Sequence, residues 1–210
     1  MNIWPTEGVI KMNIWKNEVI DSLENNAFYW QGEPLKRESD IFIINLLKDE
    51  IAAGKIILDY ACGTGRLYDL LKREGLEPVY IGYDSSEGMI RKAKEKFPDA
   101  QFSGKVPSKK ADVIVNIDML QHSDSFEDFK NKAKELSGLA KKVIFHFWYK
   151  DKYDEQQVTI KGNEFNEVFP SPANIINDIM PLFDEHNITV KLFPDCQPYK
   201  TAVIITEKKK

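Results

Sequence analysis

Residues 57–67 read ILDYACGTGRL. An apolar run ends in an acid, Asp59, breaks into the small residues Ala61, Cys62, Gly63, Thr64 and Gly65, and then enters a helical pattern at Arg66. That order is a buried strand, a tight turn and a helix. Gly63 and Gly65 permit positive φ and a close backbone approach to a ligand, and the amides that open the helix favour an anionic group such as a carboxylate. Ala61 is the one member of the turn's Ala-x-Gly-x-Gly series that carries a methyl group.

Downstream of Lys55, short apolar runs alternate with polar helical stretches. KIILDY (55–60), PVYIGYD (78–84), AQFSG (100–104), ADVIVNID (111–118) and KKVIFHFWY (141–149) read as strands. GRLYDLLKREG (65–75), SEGMIRKAKEKF (86–97) and SFEDFKNKAKELSGLA (125–140) read as helices between them. Such alternation predicts parallel crossovers and an open sheet covered on both faces. SPANIINDIMPLFDEHN (171–187) is helical, and ITVKLFPD (188–195) and YKTAVIITEK (199–208) are strand-like with a connection too short for a helical crossover, hence antiparallel. Upstream, NEVIDSLENNAFYW (17–30) and SDIFIINLLKDEIAAG (39–54) have helical patterns, the second capped by Ser39 or Asp40 and ended by Gly54. MNIW occurs at Met1 and again at Met12, but two copies make no repeat architecture.

The chain's 210 residues suit one compact domain, divided here into an N-terminal helical cap or lid (1–54) and a core (55–210). Twenty-nine basic against 33 acidic residues give a net charge of −4, which offers no general attraction to nucleic acid. Two cysteines without paired spacing, Cys62 and Cys196, suggest neither a disulfide framework nor a zinc site, and no metal is expected. No leader pattern or long apolar run is evident, so the expected location is the cytoplasm, without a membrane partner.

Asp84, 19 positions beyond Gly65, ends the second strand, where a carboxylate can accept hydrogen bonds from ribose hydroxyls or cap the following helix. With it, three motifs carry a resemblance. Asp59, Ala61, Gly63 and Gly65 are similar to a D-x-G-x-G-x-G loop; Asp84, Ser86 and Met89 to D-x-S-x-x-M; and Asp112, Ile114, Leu120 and His122 to a fourth-strand motif ending in histidine. From about Lys55 onward the chain resembles a class I S-adenosylmethionine-dependent methyltransferase. The resemblance implies a Rossmann-like three-layer α/β/α sandwich, with a mainly parallel seven-stranded sheet whose last strand is antiparallel between the fifth and sixth. It implies S-adenosylmethionine as cofactor and S-adenosylhomocysteine as product. Asp59, Ala61, Gly63 and Gly65 would surround the methionine end, Asp84 the ribose, and Ser85, Ser86 and Met89 the adenine. Backbone near Ser103, Gly104 and Lys105 would hold the adenine edge, and Ile117 and Asp118 would line the sulfonium, with Tyr29 over the cofactor. Two departures stand out: Ala61 replaces a usual glycine, and Lys105 stands where relatives often have an acid.

His122, His146 or Asp118 would serve as a base for a hydroxyl or amine acceptor. Trp30, His122, Trp148 and Tyr149 are the candidate acceptor contacts, although His146, Trp148 and Tyr149 equally suit a core, as does Met89. The expected activity is methyl transfer to an O or N atom of a small molecule. The alternatives are a protein or RNA acceptor, and a non-catalytic cofactor-binding module. Residues 116–119, NIDM, lack the Asn-Pro-Pro-Tyr pattern of amino methylation of bases, and Tyr68 replaces the third glycine of a dinucleotide fingerprint, which counts against a nicotinamide dehydrogenase.

Overall fold

The structure, a computed structural model, describes residues 29–30, 33–34, 36–107, 110–160, 163–196 and 199–209. Seven strands form one sheet. In chain order these are β3 (Ile56–Tyr60), β4 (Val79–Tyr83), β5 (Gln101–Ser103), β6 (Val113–Ile117), β7 (Lys142–Trp148), β10 (His186–Phe193) and β11 (Thr201–Lys208). Their order across the sheet is β10-β11-β7-β6-β3-β4-β5. All neighbours are parallel except β11, which pairs antiparallel with both β7 and β10. The expected Rossmann-like sheet is therefore present.

The strands are apolar on both faces because helices cover both. Ile57, Val113, Val115, Ile144 and Val203 pack with Ile43, Ile44 and Leu47 of α1 (Glu38–Ala52) and with Leu67, Leu70 and Leu71 of α2 (Arg66–Arg73). The alternate residues Leu58, Ile114, Phe145, Phe147 and Ile204 pack with Phe129, Ala133 and Leu136 of α4 (Phe126–Leu139) and with Ile175, Ile179 and Phe183. This period of two is that of a strand buried on both sides. A third group, Tyr68, Tyr80, Ile90, Ala93 and Phe102, seats α3 (Glu87–Lys96) over β4 and β5.

Three elements differ from the sequence expectation. Tyr29–Trp30 (β1) is not the end of a helix but pairs antiparallel with Glu33–Pro34 (β2). Aromatic residues suit a strand, and Gly32 and Pro34 leave no room for the helix to continue; the remainder of the expected 17–30 helix lies outside the described residues. The helical segment after Ser171 ends at Phe183, as one α-helical turn (Pro172–Asn174), a π-helical stretch (Ile175–Ile179) and a 3-10 turn (Met180–Phe183). Pro181 has no N–H to continue an α-helical ladder, and the next strand begins at His186. Finally, a hairpin of β8 (Asp154–Ile160) and β9 (Asn163–Phe169) stands apart from the main sheet. Polar residues at most of its positions hide the usual strand signal.

Register aligns the carboxyl ends of the central strands. Tyr60 pairs with Tyr83, Asp59 with Val115, and Ile117 with His146, so β3, β4, β6 and β7 finish at one level. From β3 the chain runs outward to β5 and returns to β6 on the other side, which makes the ends of β3 and β6 the point where strand order reverses.

Phe129 is fully buried and meets Phe147 edge to face, with ring centroids 5.0 Å apart. Phe129→Ala is expected to cost about 3–5 kcal/mol, read as a lower urea midpoint at unchanged slope.

Candidate active site

The loop after β3 turns through three left-handed residues, Ala61 (φ 66°), Gly63 (φ 55°) and Gly65 (φ 90°). Glycine adopts that region freely, whereas alanine does so at a cost of roughly 1–2 kcal/mol, so the Ala61 methyl strains the turn without altering its course. A side chain at Gly65 would press on Phe97 and Phe102 at 3.0 Å, whereas among the described residues nothing lies within 4 Å of the Cβ position at Gly63.

Asp84 ties this loop to the next one. Its carboxylate accepts from the Gly63 N–H at 2.9 Å and from the Ser86 N–H at 2.8 Å. Ser86 caps α3 by accepting from the Met89 N–H, and Met89 is buried in the first turn of that helix, with Ser85 half-buried beside them. The Asp84 N–H reaches the Ser103 carbonyl at 3.3 Å. Ser103, exposed Gly104 and exposed Lys105 form a turn in which the Ser103 hydroxyl donates to the Lys105 carbonyl and accepts from its N–H. Burial raises the Asp84 carboxyl above its ordinary range, and the Ser86 and Gly63 amides oppose that rise. Asp59, behind the loop, accepts from the Tyr80 hydroxyl at 2.6 Å, and burial pushes its carboxyl up to about 7.

On the other side of the crevice lies a buried ionic network. Asp118, the residue after β6, is left-handed (φ 54°), a conformation rare outside glycine and characteristic of functional edges. Its carboxylate accepts from Arg37 Nη2 at 2.8 Å, and its other oxygen lies 2.9 Å from His146 Nδ1. His146 Nε2 is 2.9 Å from the Ser39 hydroxyl, and the ring is fully enclosed. Arg37 and Arg66 both bind Asp40, whose carboxylate also accepts the Arg37 backbone N–H at 2.8 Å to cap α1. Burial alone would raise Asp40, but Arg66 and Arg37 outweigh it and bring the carboxyl down to about 2. Burial likewise opposes ionisation of Asp118, and Arg37 and His146 reverse the balance, leaving it well below the usual carboxylate range.

Beyond β7 the aromatic residues divide. Half-buried Trp148 stacks on Tyr199 at 4.2 Å and meets the His122 ring edge-on at 5.8 Å, with Phe169 alongside. Tyr149 points into the core cluster on the opposite face. Ile117 is half-buried beside Asp118. The side chains of Tyr29 and Trp30, assigned to cofactor and acceptor, lie outside the described residues. Arg37, Arg66, Glu167, Phe169 and Tyr199 escaped the sequence reading. Their partners are far away in sequence, and a run such as KRESD at 36–40 looks like an ordinary solvated helix start.

A mainly parallel α/β/α sandwich with its last strand reversed, and a strained glycine loop tied to an acid at the end of the next strand, define a class I methyltransferase fold. The sequence model of the methyltransferase domain family matches residues 42–189, and the chain belongs to that family, whose methyl donor is S-adenosylmethionine. Trans-aconitate 2-methyltransferase of Afipia carboxidovorans is 34% identical over 86 residues, covering 38% of this chain and 34% of that protein. A putative methyltransferase of Invertebrate iridescent virus 6 is 28% identical over 99 residues, covering 43% and 37%. The matched region thus spans about a third of the length of these curated relatives. Among solved structures, magnesium protoporphyrin IX methyltransferase from Synechocystis PCC 6803 with bound S-adenosylmethionine superposes with a TM-score of 0.61 at 17% identity, over 92% of this chain and 97% of that one. A protein from Pyrococcus horikoshii OT3 gives 0.63 at 19% identity, over 93% and 100%. At these identities the superpositions establish the fold. Among the described residues no helix is long and apolar enough to cross a membrane, and no cluster of His, Cys, Asp and Glu is suited to a metal ion.

Two outcomes follow for the loop. Ala61→Gly is expected to stabilise the protein by about 1 kcal/mol, the left-handed strain relieved less the added freedom of the unfolded chain, measured by urea unfolding. Asp59 binds its proton more tightly when folded, so its contribution favours folding below pH 4 and is lost as pH rises towards about 7. Asp59→Asn keeps an acceptor for Tyr80 and is expected to raise the melting temperature relative to the parent at pH 8, with the difference closing at pH 4.

Proposed function

We propose that this protein transfers a methyl group from S-adenosylmethionine to an O or N atom of a small molecule. The observation that carries the reading is the Asp84 bridge: one carboxylate holds the left-handed glycine loop and the start of α3 together at the switch point of the sheet. The residues present suit the cofactor. Among the described residues nothing crowds the Cβ position of Gly63, and the Asp84 oxygens, each accepting one amide, retain lone pairs for ribose hydroxyls. In this reading Asp59, Ala61, Gly63 and Gly65 hold the methionine end, and Ser85, Ser86, Met89 and the Ser103–Lys105 turn border the adenine. Ile117 and Asp118 flank the sulfonium, and the segment through Tyr29 and Trp30 forms a lid.

When bound, S-adenosylmethionine supplies an electrophilic methyl group on a cationic sulfur. What the chain contributes is alignment of the acceptor, exclusion of water and a place for the acceptor's proton. Asp118 is a poor base, because Arg37 and His146 hold it ionised against protonation. His146 is enclosed with both nitrogens facing Ser39 and Asp118. His122, beside Trp148, is left as the base: burial presses its pKa down to about 4, which keeps the ring neutral at pH 7 but makes it a weak base whose charged form needs a partner. The acidic net charge favours a small acceptor over nucleic acid, and trans-aconitate and magnesium protoporphyrin IX, named for two of the similar enzymes, are small molecules.

Isothermal titration with S-adenosylhomocysteine is expected to give one site per chain. Asp84→Asn, which weakens the acceptor set with little change in shape, is expected to lower the affinity at least tenfold, about 1.4 kcal/mol. Absence of binding to the parent protein would overturn the reading.

A further inference from the structure

The hairpin β8–β9 has no place in the main sheet, yet it brings a carboxylate to the candidate base. His122 ends the 3-10 turn Leu120–His122, and β9 packs against that turn. His122 Nδ1 lies 3.8 Å from Glu167 Oε1, with both side chains only 8% exposed. The other Glu167 oxygen accepts from Gln156 Nε2 at 3.0 Å across the hairpin, where Gln156 and Glu167 are direct partners. Gln156 therefore aims the carboxylate, and Trp148, edge-on to His122, limits the tilt of the imidazole. A shortening on the order of 1 Å converts the pair into a hydrogen bond, and catalytic contacts commonly tighten in this way when substrate binds.

We propose that Glu167 is the positioning residue of His122: it accepts from Nδ1–H, so that Nε2 is the basic nitrogen, and it steadies the imidazolium that forms. The inference rests on the methyl-transfer reading, in which His122 takes the proton of the acceptor's O–H or N–H and the electron pair stays on the acceptor atom. The charged groups around the pair come from four elements. Glu167 lies on β9, Asp118 at the end of β6 favours the imidazolium, Lys132 on α4 opposes it, and Lys150 beyond β7 acts on Glu167. Burial disfavours the charged form of both partners, raising Glu167 and lowering His122. A neutral ring facing a buried carboxyl is the resting state that such opposed shifts produce.

The chain has three histidines, so imidazole nitrogen NMR on the full-length protein reads His122 directly, assigned by His122→Gln. At pH 7 the parent protein is expected to show the Nδ1–H tautomer at His122. Glu167→Gln, which still offers an acceptor, should retain it, and Glu167→Ala should lose it. An Nε2–H tautomer in the parent overturns the inference, as does a tautomer unchanged in Glu167→Ala. Should that variant fail to fold, Glu167→Leu, which fills similar space and offers no acceptor, is read in its place, and an unchanged tautomer there overturns the inference. The measurement needs neither cofactor nor acceptor, so a protein that fails to bind S-adenosylhomocysteine yet shows this coupling would remove the methyl-transfer reading and leave the pair standing.

Discussion

The carboxylate of Asp84 is the tie on which the architecture of the crevice depends. Parallel strands can end at one level and still leave their following loops free to splay. Here one side chain accepts an amide from the β3 loop and another from the start of α3, and its own amide reaches the β5 turn at Ser103. Three successive crossovers are thereby pinned at a single buried point. The pinning explains how the loop accommodates Ala61, because the amide bonded to Asp84 holds Gly63 in the left-handed geometry that Ala61 must share. It also leaves the acid dependent on its two donors, since burial alone disfavours its charge.

Facing it, the network of Arg37, Asp40, Arg66, Asp118 and His146 serves another purpose. Two arginines and two carboxylates taken out of water are costly unless each finds its partner, and every one of them does. The network joins the segment before α1 to the strained residue after β6, so the position of the chain entering α1 and the shape of the crevice are one problem. The depressed carboxyls and the raised Asp59 act in opposite pH ranges. Asp40 and Asp118 lose their stabilisation as the solution becomes acid, whereas Asp59 loses its own as the solution approaches neutrality.

Much of this was legible in the residues. Alternation of apolar runs and helical patterns from Lys55 to Leu139 announces the parallel half of the sheet, and the short link between residues 195 and 199 announces the reversed strand. The loop, Asp84 and Ser86 stand in the places that their spacing suggests. What the sequence concealed is of two kinds. Tyr29–Trp30 and the β8–β9 hairpin are short or polar strands whose pairing, and not their pattern, makes them strands. Arg37 and Glu167 acquire meaning only through partners 81 and 45 positions away, Asp118 and His122, and nothing local marks an arginine or glutamate destined for burial.

The reversed strand also governs the order in which the molecule can assemble. β11, residues 201–208, lies between β7 and β10, so β10 has no sheet to join until residues that follow it in the chain have arrived. A chain emerging from the ribosome as far as Phe193 carries the parallel strands whose ends form the crevice, but its β7 edge is still bare and its Ile144 and Phe145 side chains still lack the neighbouring Ile205 and Ile204. The laying down of the parallel strands and the closing of the sheet are thus separable events in synthesis. The last strand acts as a clasp drawn into the middle of a sheet already laid down on one side.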